Sequence, residues 1–346
     1  MLVDDTLREG LQTPGMSYTI EEKIKLSRLI ADCGIKRALV SYPSAHWSEV
    51  EVTRKICSEN IFDETFGLGR TVESDIDKIA ETGANISLHL PFQFEDITPI
   101  LEAVRYAAKK DRILEVSVVN IAKFPVKDLI KLGTKIEEAG ADIVQLPDTT
   151  GQASPKLIRN VIEEAKRTMN CQISVHCHND LGGSIANALE GYRSGADIVD
   201  TCIYGLGERN GISDTASIAH LIELEGGATG IDYVKLSRAY REVLDLIMRK
   251  IGPDLFIDNY PVEGKNTLIH TAGTHAASSK TFQGANYSVN VYTGRSMIAK
   301  ILESAGIKIS RESLSKLTDE IKDLAVSRGT TFSSDEIIKM SREKAD

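Results

Sequence analysis

Ser174-Val175-His176-Cys177-His178-Asn179-Asp180-Leu181-Gly182-Gly183 is the stretch on which the fold turns. Val175 and Cys177 alternate with His176 and His178, so on a strand both imidazoles project from one face. The Asn-Asp and Gly-Gly pairs that follow end the strand and open a helix. Two imidazoles at the C-terminal end of a strand stand where an α/β barrel keeps its chemistry. With one carboxylate they would make a divalent-cation site. A strand carrying two internally satisfied histidines fits the same residues, so the flanking chain has to separate the two.

Outward from this stretch, short β-rich runs alternate with amphipathic helical patterns up to about residue 225. Strands are predicted over Leu2–Asp5, Arg37–Tyr42, Thr65–Gly69, Asn85–Leu90, Leu114–Val119, Asp142–Leu146, Gln172–His178 and Asp197–Tyr204. Helices are predicted in between, among them Ile20–Asp32, Asp75–Glu81, Lys127–Glu138, Pro155–Thr168 and Ile185–Ser194. Gly34, Gly83, Gly140 and Gly195 each stand just before a strand, where a helix closes in the left-handed conformation. Eight strand–helix units in series predict an α/β fold, a (β/α)8 TIM barrel. An open doubly wound sheet is the alternative, but no GxGxxG follows the first strand.

After Leu224 the pattern changes. Glu225-Gly226-Gly227-Ala228-Thr229-Gly230 is a break, Tyr233–Ile251 reads as a helix, and Pro253 and Pro261 bracket an irregular segment. Helical runs return at Met297–Ala305, Arg311–Val326 and Ser333–Lys344, the last with a capping signal at Ser334. The expected organisation is a catalytic barrel over 1–226, a linker and first subdomain over 227–285, and a helical C-terminal subdomain over 286–346.

A net charge of -9 and the lack of a basic run argue against a nucleic-acid partner. No apolar run approaches a membrane span, and the N-terminus enters a strand directly, so no signal peptide is expected. Five scattered cysteines without a CxxC read as reduced thiols in a cytoplasmic protein.

Three further motifs stand at predicted strand exits. The first strand delivers Asp4-Asp5-Thr6-Leu7-Arg8-Glu9-Gly10-Leu11-Gln12. Its carboxylate can ligate a cation and its arginine can clamp a carboxylate or enolate, although a solvated loop with a salt bridge fits the same residues. The sixth strand ends in Pro147-Asp148-Thr149-Thr150-Gly151, either hydroxyls for a ligand or a capped turn. Gly205-Leu206-Gly207-Glu208-Arg209-Asn210-Gly211 follows the eighth, and its glycines permit a close backbone approach.

Taken together and in this order, the motifs resemble the DRE-type TIM-barrel metalloenzymes, in the branch of 2-isopropylmalate, citramalate and homocitrate synthases. The carrying residues are Asp4–Gln12, Asp148–Gly151, His176–Asp180, Gly182, Ala186-Asn187, Gly195–Asp197, Asp200 and Gly205–Gly211. Beyond the barrel, Gly264–Asn266, His270–His275 and Thr293–Arg295 are similar to that branch's inter-subunit segment and second subdomain. The resemblance implies a Claisen-type condensation of acetyl-CoA with a 2-oxo acid, dependent on Mg²⁺ or Mn²⁺, with Zn²⁺ as a further option. It implies Glu9, His176 and His178 as metal ligands, with Glu9 and the apolar Ile212 paired as in homocitrate synthases. Arg8 would polarise the 2-oxo group, Gln12 would stand beside it, and Thr149 would hold the substrate carboxylate. His275 would enter the active site of the other subunit of a homodimer, with Tyr287 as its companion.

Departures from the pattern lie on the acceptor and base side. Leu39 stands where a glutamate is usual, Asn120 falls near the place of another, and Leu90–Phe94 lacks the arginine that homocitrate synthases use for the distal carboxylate of 2-oxoglutarate. His89 is a candidate to reach the pocket instead. The chain is also expected to lack the amino-acid-sensing domain of regulated relatives. Two other readings compete: a lyase or aldolase on the same scaffold, and a non-catalytic metal- or ligand-binding homologue. Against the lyase, the loop after the eighth strand lacks the cysteine of hydroxymethylglutaryl-CoA lyases.

Overall fold

A computed structural model describes residues 1–91, 93–118, 120–262, 264–270 and 286–342. Eight parallel strands close in sequence order into a barrel: β1 (Leu2–Asp4), β2 (Arg37–Ser41), β3 (Glu64–Arg70), β4 (Asn85–His89), β5 (Leu114–Ser117), β6 (Ile143–Asp148), β7 (Gln172–Cys177) and β8 (Ile198–Thr201). Closure pairs Val3 of β1 with Asp200 of β8. The outer ring is α1 (Ile20–Asp32), α2 (Trp47–Ser58), α3 (Glu73–Glu81), α4 (Thr98–Ala107), α5 (Val126–Glu138), α6 (Pro155–Thr168), α7 (Ser184–Arg193) and α8 (Thr215–Leu224). The barrel read from the sequence is therefore the fold.

Local chemistry explains the boundaries. Thr19 and Glu22 form a reciprocal capping box that starts α1, and Ser154 with Pro155 starts α6. Gly34, Gly83, Gly140 and Gly195 all have positive φ at helix ends. The eighth strand is shorter than predicted. The Cys202 N–H turns away to Ser213 O at 2.9 Å, and Tyr204 adopts a left-handed φ of 57°. The sixth is longer, because Pro147 and Asp148 still pair with His176 and Cys177 of β7.

The barrel floor is apolar, with Val3, Phe66, Ile143 and Ile198 in one cluster that Leu39 joins from the pocket side. Above it lies a buried polar layer, which is unusual where branched aliphatics normally fill the interior. Its groups are hydrogen-bonded to one another, as burial demands. Ser87 donates to Glu115 at 2.7 Å, Gln145 donates to Asp200 at 2.7 Å, and Ser174 donates to the other Asp200 oxygen at 3.4 Å. Burial, together with the nearby Asp200 charge, pushes the Glu115 carboxyl up to about 7.

Beyond the barrel, α9 (Tyr233–Lys250) lies against α1 and sends Leu236, Ala239, Val243, Leu246 and Ile247 into the barrel's own hydrophobic cluster. Its four larger side chains contribute roughly 1.5–3 kcal/mol apiece. After α10 (Leu255–Asp258), a second cluster forms around α11 (Arg295–Ser304), α12 (Arg311–Arg328) and α13 (Ser334–Arg342). This unit is not helical alone. It holds a three-stranded sheet in the order β11 (Phe332–Ser333), β10 (Asn286–Val289), β9 (Ile269–His270). Strands of two to four residues are too short to print a period-two pattern. The cap of α13 is Ser333, not Ser334: Ser333 Oγ accepts from Glu336 N, and Glu336 accepts from Ser333 N at 2.7 Å.

Candidate active site

The C-terminal mouth of the barrel encloses a pocket of about 110 Å³. Arg8, Glu9, Gln12, Thr149, His176 and His178 line one side, and Leu39, Tyr42, Leu68, His89 and Tyr292 the other. Alternation along β7 places both imidazoles on the lumen side, with His176 Nε2 and His178 Nε2 3.4 Å apart. Glu9 reaches them from the loop after β1, so that one donor atom from each of the three residues lies within 4.8 Å of the others, all buried. Nδ1 of His176 faces Asp200 Oδ2 at 3.1 Å. That contact fixes the ring and leaves Nε2 as the donor turned toward Glu9 and His178, an arrangement characteristic of metal-ligating histidines. Two imidazoles and one carboxylate, buried together, fit a divalent cation.

Glu9 is held from both ends. One oxygen takes the Glu208 N–H at 3.0 Å, and the other is paired with Arg8 Nη1. The glycines after β8 allow the first contact. A Cβ on Gly207 would come within 3.0 Å of Glu9 Oε1, and one on Gly211, whose φ is +79°, would lie 1.8 Å from Gly205 O. The close approach expected of this loop is thus an approach to Glu9. Arg209 locks the same loop to its neighbours by pairing with Asp180 and donating to Thr149 O at 2.8 Å.

Arg8 bridges Asp5 and Glu9 and touches Gln12 Oε1 at 3.2 Å. Burial pushes the Asp5 carboxyl up against the opposing pull of Arg8, with Glu9, Asp200 and Asp4 adding to the rise. Burial likewise takes Asp4 to about 7 despite two hydrogen bonds from Thr6, and Asp148 to about 6. Thr149 lines the pocket at the β6 exit, and its Oγ accepts the Asn120 N–H at 3.0 Å. Because that oxygen is the acceptor, the hydroxyl hydrogen remains available for a ligand carboxylate.

Among the sequence-selected residues, Arg8, Glu9, Gln12, His89, Thr149, His176 and His178 converge on this pocket. His89 stands opposite the histidine pair, edge-on to Tyr42 with ring centroids 6.3 Å apart. Tyr287 sits in β10 and packs on the C-terminal cluster, away from the pocket of its own chain. His275 lies outside the described residues. Ile212 pairs through its backbone with His178 and offers no ligand atom, Leu39 lines the pocket, and Asn120 is buried with a left-handed φ of 59°. Sequence reasoning missed Tyr42, Leu68 and Tyr292. Tyr292 lies in an irregular turn beyond the barrel, where no periodicity flags it.

A family model described as HMGL-like matches residues 1–243. The 2-isopropylmalate synthase of Methanocaldococcus jannaschii is 32% identical over 347 residues, covering 92% of this chain. The chain spans 66% of that protein, just under two-thirds of its length. Homocitrate synthase AksA of the same organism is 29% identical, covering 98% of this chain and 89% of its own length. Among solved structures, an HMG-CoA lyase from Brucella melitensis superposes with a TM-score of 0.62 at 18% identity, over 71% of this chain and 97% of that one. The carboxyl transferase domain of Rhizobium etli pyruvate carboxylase gives 0.65 at 14% identity, over 92% of this chain and 55% of that one. At those identities the likeness is one of fold.

Proposed function

The chain belongs to the HMGL-like family, and we propose that it is an acyltransferase that condenses acetyl-CoA, or a related acyl-CoA, with a 2-oxo acid, water then cleaving the thioester to give a 2-hydroxy acid and CoA. The observation that carries this reading is the buried grouping of Glu9, His176 and His178 beside Arg8 at the barrel mouth. Relatives named 2-isopropylmalate synthase and homocitrate synthase, aligned along nearly all of this chain, favour condensation over the lyase direction. So does the cysteine-free loop Gly205–Gly211.

A divalent cation held by Glu9, His176 and His178, Mg²⁺ or Mn²⁺ with Zn²⁺ also compatible, would supply Lewis-acid polarisation of the ketone. The chain's own groups act on the acceptor. Arg8 is kept at the mouth by Asp5, Glu9 and Gln12, where its guanidinium stabilises negative charge developing on the ketone oxygen. Thr149 offers its hydroxyl to the substrate carboxylate, and His89 faces the same pocket from β4. We place His275 in the active site of a partner copy in a homodimer, with Tyr287 beside it. Division into a barrel over 1–226, a segment over 227–285 and a C-terminal unit over 286–346 belongs to the same proposal, with β9 of the middle segment lending its strand to the C-terminal sheet. A cytoplasmic setting fits five cysteines that are all free. No described helix is long and apolar enough to cross a membrane.

The test is thiol release from acetyl-CoA across a panel of 2-oxo acids with Mg²⁺ or Mn²⁺. Release that requires both an acceptor and the cation is expected. A protein that binds the cation and yet frees no thiol with any acceptor sinks the condensation reading.

A further inference from the structure

Opposite the histidines, the pocket is closed by a side chain from outside the barrel. Asn290, Val291, Tyr292 and Thr293 form a tight buried turn: Thr293 N donates to Asn290 O at 3.0 Å, and Tyr292 N donates to Asn290 Oδ1 at 2.8 Å. Asn290 Nδ2 ties the turn to Leu11 O at 2.8 Å, in the loop after β1. Tyr292 then enters the mouth, its ring 6.2 Å from that of Tyr42.

Both tyrosines converge on one buried carboxylate. Glu49 Oε2 accepts the Tyr292 hydroxyl at 2.8 Å and the Tyr42 backbone N–H at 3.2 Å. Lys23 Nζ lies 2.7 Å from each Glu49 oxygen, and both residues are about 2% exposed or less. A buried ion pair is a poor stabiliser, since apolar replacements do as well. Here the pair fixes where the Tyr292 ring stands at a pocket wall and holds the Tyr42 backbone beside it, while the Tyr42 hydroxyl donates to Asp75 Oδ2 at 3.4 Å. Next to them are Leu39 and Leu68. Among the described residues lining the pocket, Arg8 is the only lysine or arginine, and it is already shared by Asp5, Glu9 and Gln12. A second carboxylate carried to this wall would meet no guanidinium or ammonium, only the His89 ring, whose Nδ1 already faces Leu90 O at 3.3 Å. Burying a carboxylate without a charged partner is strongly unfavourable.

We infer that the Lys23–Glu49 pair is a positioning device for Tyr292 and for the Tyr42 backbone, and that this wall selects acceptors with a short uncharged tail, that is, monocarboxylic 2-oxo acids. The inference rests on the acceptor reading of the pocket given above. Tyr292 is a specificity-determining residue supplied in cis by the C-terminal unit. Glu49 acts through it.

The experiment measures kcat and KM for pyruvate, 2-oxobutyrate, 2-oxoisovalerate and 2-oxoglutarate in the thiol-release assay, and in parallel the shift in melting temperature each acid gives with Mg²⁺ present. Wild type should show its lowest KM with one of the three monocarboxylates and at least a tenfold higher KM with 2-oxoglutarate. Tyr292→Phe, which removes a single hydrogen bond, should raise the preferred acceptor's KM about fivefold with kcat within twofold. Tyr292→Ala should move the preference toward a bulkier tail, and Glu49→Gln should raise KM in the same direction as Tyr292→Phe. Should Glu49→Gln fail to fold, the two Tyr292 variants carry the test. A preference for 2-oxoglutarate, or an acceptor ranking unchanged in Tyr292→Ala, overturns the inference. If no acid yields thiol but the monocarboxylates alone stabilise the protein, and less so in Tyr292→Phe, the wall stands and the chemistry assigned above fails.

Discussion

On the β7–β1 side of the mouth, the clustered side chains come from a barrel strand or the loop directly after it, and three are fixed by buried neighbours: His176 by Asp200, Glu9 by Glu208 N–H and Arg8, Arg8 by Asp5. On the β2–β4 side the lining is Leu39, Tyr42, Leu68 and His89, and it is finished by Tyr292 from the C-terminal unit. Among the described residues, one side is a polar network built within the barrel. The other is a largely apolar wall whose shape depends on how a separate unit docks. On the proposed reading, cation binding and acceptor selection are therefore separable, with different residues to disturb each.

The severest break is His176→Ala. It deletes one of three clustered donors, so Mg²⁺ or Mn²⁺ affinity should fall by more than the ~10–100-fold carried by groups that only orient a ligand. Equilibrium dialysis followed by elemental analysis reads this directly. Retained cation at the wild-type level would show that the polar side of the mouth is not the metal site.

Asp200→Asn sharpens the same side with a smaller effect. The amide keeps the size of the side chain but removes the charge that faces His176 Nδ1 and takes the Gln145 hydrogen bond. Cation affinity should drop ~10–100-fold, while all three ligands remain. Titration calorimetry on the two variants should rank wild type, Asp200→Asn and His176→Ala in that order. An Asp200→Asn protein that binds as wild type would mean that the imidazole is held by packing alone.

The contrast between the two sides also explains what could be read from the sequence. Glu9, His176, His178, Arg8 and Thr149 sit at strand exits, which the period-two alternation and eight βα units gather at one barrel mouth, while the roles of Glu9, Arg8 and Thr149 there came from the family resemblance. Asp200 was visible as a motif residue, but its contact with His176 needs the register between β7 and β8. Tyr292 and the Lys23–Glu49 pair left no such trace. Lys23 and Glu49 read as ordinary charged positions of amphipathic helices, and only tertiary packing reveals them as buried. The short strands β9, β10 and β11 escaped for the related reason that their pairing is long-range.

The mildest test addresses the docking on which the apolar side depends. The C-terminal unit meets the barrel through Lys322 Nζ on Ala45 O at 2.6 Å, through Trp47 Nε1 and His46 Nε2 on Asp323 at 2.9 and 3.1 Å, and through Ser17 Oγ on Ala325 O at 3.1 Å. Burial lowers the Lys322 ammonium to about 8 from its ordinary 10.5, with Asp319 opposing and Arg295 adding to the shift. Between those two pH values the unfolded chain binds this proton more tightly than the folded one, so folded stability rises as pH climbs through the window. Below pH 8 the full penalty is carried. Lys322→Met removes the charge and gives up one hydrogen bond, worth about 1 kcal/mol. The variant should therefore gain on wild type by about 2 kcal/mol at pH 7, with the advantage shrinking toward pH 10. Melting curves of both proteins at pH 7, 8, 9 and 10 measure it. Parallel pH profiles would show that Lys322 carries no buried charge, and that the unit bearing Tyr292 is docked by its hydrogen bonds and apolar contacts alone.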